Sequence, residues 1–356
     1  MRNAARGFAR KYALIVATGA ALCWAGIAFA WDAAGHSTIT LLALDRMGQV
    51  ADCPAWLKDD VQRRMVAWQS SEPDRWRSTK TPSLTHANAP EHYIDLEDLT
   101  QFGLTLKTLP KLRNDYLAAM VLAKSQHPEL VKPYNPKFDP NHIQEFPGFL
   151  PYAIMEHYEK LRSSFHTLRV LEKLPPAPMP ELAAQRALQI EQERGNARTE
   201  MGILSHFVGD TAQPLHTTTH HHGWTGENPK SYTTEKSIHA YIDGGVLSLH
   251  RLGYDTLKAP PARPESSGTP PVQTPIDPEN IWPTMLDYIQ RSFDKVEPLY
   301  VLEKSGELKK EPGKAFITER LTDAGHMLGD LYAAAWKASE PKPTDADNFL
   351  KYEAKP

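Results

Sequence analysis

At 356 residues and a formal charge of −3, the chain is long enough to bury one large core or two modest ones. Its acidic balance argues against a long electrostatic groove for duplex DNA, though not against short, metal-held phosphate esters. The two cysteines, Cys23 and Cys53, support no disulfide framework, because the first falls in a predicted leader.

That leader has Arg2, Arg6, Arg10 and Lys11 ahead of an apolar run from Tyr12 to Phe29, then Ala28-Phe29-Ala30 as a small-x-small cleavage site. The pattern predicts a secretory signal peptide over residues 1–30 and a mature chain starting at Trp31, periplasmic or secreted. The run is short for a transmembrane anchor and contains Thr18, Gly19 and Gly26. No later segment is long and apolar enough to span a bilayer.

Helical periodicity dominates the rest. Thr38 to Met47 carries Ile39, Leu41, Leu42 and Leu44 on one pattern, and His36 precedes it. Asp52 to Ser70 predicts a helix with an apolar stripe of Val61, Met65, Val66 and Trp68. Asp74 then opens a loop or short helix that includes Arg77, and Glu91 to Asp95 predicts a short extended piece. Helices are expected over Thr108 to Ser125, Tyr152 to Leu174 and Glu181 to Phe207, with Pro133 to Pro151 irregular.

A polar loop with His220, His221, His222 and Trp224 follows; three histidines without a carboxylate partner more often face solvent than a site. Further helices are expected over Ser237 to Leu252, Pro278 to Val301 and Ala315 to Ser339. The proline-rich stretch around 259–278 is a loop insertion and Pro341 to Pro356 a polar tail. With no alternating strand series and no glycine-rich phosphate loop, the expectation is an all-α fold, one domain over 31–340.

The chemistry concentrates in Leu204 to His216. His206 and Asp210 are four residues apart, so on a helix their side chains leave one face, and Pro214 lets His216 turn back toward them. Imidazole and carboxylate are ligands that zinc takes, although a lone pair at this spacing more often makes a buried hydrogen bond. A second pair, His239 and Asp243, repeats the spacing, and His36, His92 and Asp74 add further ligand types.

These residues, in this order, resemble a known family. The mature amino-terminal Trp31 with Gly35-His36, Asp74-x-x-Arg77, His92-Tyr-Ile-Asp95, Gly209-Asp210-x-x-Gln213-Pro-Leu-His216 and His239-x-x-x-Asp243 are similar to the three-zinc nuclease and phospholipase C family. It comprises the fungal and plant single-strand-specific nucleases with 3′-nucleotidase activity and bacterial zinc-dependent phospholipase C.

The resemblance implies a single, mostly helical domain holding three Zn2+. One would be held by Asp74, His92, His206 and Asp210. A second would be held by the amine and carbonyl of Trp31, by His36 and by Asp210 as a bridge, and a third by His216, His239 and Asp243. It implies phosphodiester hydrolysis, with Asp74, Arg77 and Asp210 catalytic and with Tyr93 and Asp95 receiving the base of single-stranded nucleic acid or a nucleotide. A phospholipid substrate and a non-catalytic zinc-binding role are the alternatives. Several features depart from the family: the long segment between His92 and His206, the loop from Thr217 to Lys236, the insertion near Pro260, and Asp32-Ala33 where a glycine commonly follows the tryptophan.

Overall fold

The computed structural model describes residues 31–50, 52–137, 139–258 and 276–353. The predicted signal peptide and most of the proline-rich insertion lie outside the described residues. Among those described, the architecture is all-α, with only two isolated β-bridges, Ile94 to Gly148 and His221 to Gly223. No helix among them is long and apolar enough to cross a membrane.

In chain order the helices are α1 (Ala33–Met47), α2 (Asp60–Gln69), α3 (Glu72–Arg77), α4 (Pro82–Asn88), α5 (Arg113–Gln126), α6 (Leu150–Lys173) and α7 (Pro180–Ala212). Then come α8 (Ile238–Ala240), a π-helical turn over Tyr241–Gly245, α9 (Val246–His250) and α10 (Tyr254–Leu257). Last are α11 (Trp282–Phe293), α12 (Val296–Lys304), α13 (Glu311–Ala338) and α14 (Pro343–Glu353).

Two helix pairs make the frame, α6 on α7 and α1 on α13, joined where α13 crosses α7. The predicted stripes explain the packing. Ile154, Tyr158, Leu161 and Phe165 of α6, and Leu321, Ala324, Leu328, Leu331 and Ala335 of α13, are all fully buried. The first turn of α1 is capped by the Asp32 carboxylate, which accepts the Gly35 N–H at 2.9 Å. Proline in the first turn of α6, α7 and α13 starts each helix where its missing N–H costs nothing.

The last part of α7, from Met201 to Ala212, is buried on every side. A helix apolar or enclosed all round occupies the centre of a domain. Gly202 makes that position possible: a Cβ there would lie 2.3 Å from Gln69 Cβ and 2.9 Å from the Val66 carbonyl oxygen, so α2 meets α7 backbone to backbone.

The structure corrects several expectations. Asp52 to Ser70 is not one helix: a 3-10 turn over Ala55–Lys58 precedes α2, and an extended Asp59 separates them, its carboxylate accepting the Gln62 N–H to cap α2. Of the stripe proposed there, only Val66 is buried, while Val61, Met65 and Trp68 face solvent, because the Gly202 contact turns the Val66 and Ala67 face inward. Pro278 to Val301 is two helices, α11 and α12. The polar tail is helical over α14, which packs on α6, with Asp345 3.5 Å from His166.

Gly202→Val should destabilise the protein by about 1–3 kcal/mol, the usual cost of overpacking. The urea midpoint of metal-free protein reads this directly, and an unchanged midpoint would contradict the close approach of α2 to α7.

Candidate metal centre

The centre is assembled on the buried end of α7. His206 and Asp210 leave one face of the helix, with Nε2 3.4 Å from Asp210 Oδ2. His36, from the first turn of α1, stacks on His206 with ring centroids 4.0 Å apart and brings its Nε2 to 3.4 Å from Asp210 Oδ1. His92 closes a 3-10 turn and places Nδ1 3.0 Å from Asp210 Oδ2 and 2.9 Å from His206 Nε2. Asp74, buried in α3, reaches His206 Nε2 at 3.8 Å and His92 Nδ1 at 4.0 Å.

A second assembly lies beside the first. Gln213 ends α7, and the 3-10 turn over Pro214–Thr217 folds His216 back, as the proline predicts. His216 Nε2 lies 3.0 Å from His239 Nε2, and His239 Nε2 lies 3.4 Å from Asp243 Oδ2. Three groups of potential ligand atoms result: His36, His206 and Asp210; Asp74, His92 and His206; and His216, His239 and Asp243.

Hydrogen bonding sorts the nitrogens. The Ser70 carbonyl takes the Nδ1–H of His206 at 2.7 Å, and the His92 carbonyl takes the Nδ1–H of His216 at 2.5 Å. A neutral imidazole that donates from Nδ1 presents a lone pair at Nε2, and in both residues that lone pair points into its group. Nε2 of His36, Oδ1 of Asp210 and Oδ2 of Asp243 face the groups and are buried with no hydrogen-bond partner. Buried polar atoms are normally paired, so this concentration calls for a missing partner. The missing partner must accept electron pairs, and a divalent cation fits the donor set.

Electrostatics agree. Burial holds His36, His92, His206 and His239 well below the usual imidazole range and brings His216 down to about 3. These are the neutral forms that bind metal. Burial, followed by the charge of Asp74, pushes Asp210 well above the carboxylate range, and burial does the same to Asp243. Such carboxylates ionise when a cation is beside them.

The structure thus brings together every side chain expected as a ligand: His36, Asp74, His92, His206, Asp210, His216, His239 and Asp243. His206 is shared by two groups, whereas the resemblance implies Asp210 as the bridge. Trp31 is fully buried beside them; its indole donates to the Gly209 carbonyl at 3.0 Å, and the next N–H, that of Asp32, donates to the Asp243 carbonyl at 3.1 Å. Arg77, half-buried, meets the buried Asp74 at 2.8 Å and also lines the cleft above the centre.

That cleft, about 360 Å³, contains Tyr93 and Asp95 in its wall, together with His216 and His239 from the metal groups. His221, half-buried, also lines it, contrary to the solvent-facing expectation, while His222 borders it and stays exposed. Two anchors pull their loop inward: Glu97 accepts from the Thr218 hydroxyl at 2.5 Å and the Thr219 N–H at 3.1 Å, and the Tyr300 hydroxyl donates to the His220 carbonyl. Lys132 and Gln144, from the long segment before α6, complete the far wall.

No family model matches this chain, and no curated protein matches it. The case for the site therefore stands on its own side chains.

Gln213 orients the second assembly, donating to Asp243 Oδ1 at 2.8 Å and accepting the Leu215 N–H at 2.8 Å. Replacing the partner of a metal-ligating carboxylate commonly weakens metal affinity about 10–100-fold. Gln213→Ala should do so at the His216, His239 and Asp243 group alone, as read by competitive zinc titration. Unchanged affinity would mean that Asp243 is oriented without it.

Proposed function

We propose that the protein is an exported zinc-dependent phosphodiesterase acting on single-stranded nucleic acid and 3′-nucleotides. The observation that carries this reading is three buried histidine–carboxylate groups, short of partners, beneath one cleft that also holds an arginine and a tyrosine. Asp74, His92, His206 and Asp210 would hold one zinc. His36, Asp210 and the amine of a Trp31 freed by signal cleavage would hold a second, and His216, His239 and Asp243 a third. Bound zinc supplies Lewis acidity toward a phosphate ester and a nucleophilic water at neutral pH.

The protein's own groups orient the substrate. Arg77, held through Asp74, presents positive charge in the cleft, where it neutralises a phosphate and the charge that builds on it. Asp74, at the metal groups, would orient the proton of the attacking water. Tyr93 offers a ring fixed at its hydroxyl by the Ile143 carbonyl, and stacking on such a ring contributes about 1–3 kcal/mol per base.

The test uses processed, zinc-loaded protein and compares single-stranded nucleic acid and 3′-mononucleotides with phosphatidylcholine micelles. Nucleotide turnover abolished by chelation is the expected result; lipid cleavage alone would replace the substrate, and no turnover with zinc bound would leave a binding protein. Asp210→Asn should lower zinc content and reduce kcat by more than about 100-fold, since it removes a ligand rather than a ligand's partner. Wild-type turnover in that variant would sink the assignment.

A further inference from the structure

His221 belongs to a loop that departs from the family pattern, yet its ring is held in place by specific contacts. Its Nδ1 lies 3.1 Å from the Thr218 carbonyl oxygen and 3.7 Å from Asp95 Oδ1. Behind it, His220 stacks on Trp224 with centroids 3.9 Å apart and planes within 12°, and Trp224 packs against Tyr232 and Tyr300. With the Glu97 and Tyr300 anchors, these contacts fix the ring from the protein side.

In the cleft wall the His221 ring is next to that of Tyr93, with centroids 6.4 Å apart and planes inclined by 33°. Carbon surfaces meet at about 3.5–4.0 Å, so a planar group inserted between two rings needs about 7–8 Å. The pair is too close for a sandwich and forms a stepped wall of two flat faces instead. Tyr93 is equally constrained, by the Ile143 carbonyl on its hydroxyl and by Gly148, where a Cβ would lie 2.1 Å from the Tyr93 carbonyl oxygen. At φ +105, Gly148 occupies backbone space that other residues avoid.

We propose that His221 is a specificity-determining residue, extending Tyr93 into a two-ring stacking wall for the nucleobase of a single nucleotide unit. The proposal rests on the phosphodiesterase reading for its substrate class. Unstacked bases are bound on the flat faces of Tyr and His in just this sequence-tolerant way. A cleft of about 360 Å³ is at the small end for ligand sites, suited to one nucleotide rather than a stacked run.

The experiment measures the preference for a base. With zinc-loaded protein, kcat/KM for a 3′-mononucleotide is divided by that for ribose 3-phosphate. His221→Ala should lower this ratio about tenfold, the loss of one stacking face, whereas His221→Phe should preserve it. An unchanged ratio in the alanine variant, or an equal loss in the phenylalanine variant, overturns the proposal. If His221→Ala loses zinc, His221→Leu takes its place, keeping bulk without a flat ring.

Should the wild-type protein turn over neither ester, the phosphodiesterase reading fails and the ratio is taken from binding instead, adenosine monophosphate against ribose 5-phosphate by equilibrium dialysis. A preference for the nucleotide that His221→Ala removes would uphold the stacking wall; no preference would refute it.

Discussion

A carboxylate with no exposed surface, that of Asp210, sits among four imidazoles, those of His36, His92, His206 and His216, at the centre of the molecule. Burying an anion without a counter-charge costs several kcal/mol, and the helix that carries Asp210 cannot move it outward. Arg77 acts on it electrostatically, but its guanidinium is engaged with Asp74. One proton on Asp210 would relieve the charge yet satisfy a single neighbouring lone pair. A cation would satisfy the charge and several lone pairs together, which is why these groups suit a metal.

The rest of the structure holds those lone pairs in place. Two backbone carbonyls far apart in sequence, of Ser70 and His92, fix the tautomers and ring planes of His206 and His216. Ser70 follows α2, whose position depends on the close approach at Gly202, so core packing reaches the first metal group through a single carbonyl. His92 does two things at once: its ring joins the first assembly while its carbonyl orients His216 in the second. The two assemblies are therefore mechanically one object.

The sequence made legible what depends on local spacing. The pairs at i and i+4, the turn after Pro214, and the stripes of α6 and α13 are all consequences of helix geometry, and each side chain lies where that geometry puts it. What was not legible depends on partners distant along the chain. Nothing near His221 announces Glu97 or Tyr300, which draw the loop inward, so a histidine run without a local carboxylate reads as solvated. The stripe on α2 misleads for a similar reason: Val61, Met65 and Trp68 have the right period, but Gly202 of another helix decides which face is covered. The helicity of α14 was hidden by a polar composition that its packing on α6 overrides.

The π-helical turn over Tyr241–Gly245 shows how spacing and distant contacts combine. His239 and Asp243 converge to 3.4 Å, as an i, i+4 pair should, although the helix between them is locally widened. Such widened turns are frequent at functional sites. Here the turn positions an aspartate whose carboxylate meets both His239 and Gln213, while its carbonyl accepts the N–H of Asp32. Residue 31 is thereby held on two sides, through Asp32 to the second assembly and through its indole to Gly209, the neighbour of Asp210 in the first. The segment that begins the described chain is thus positioned by both assemblies at once. Any rearrangement of the π-turn would be felt at His36 as well as at His239.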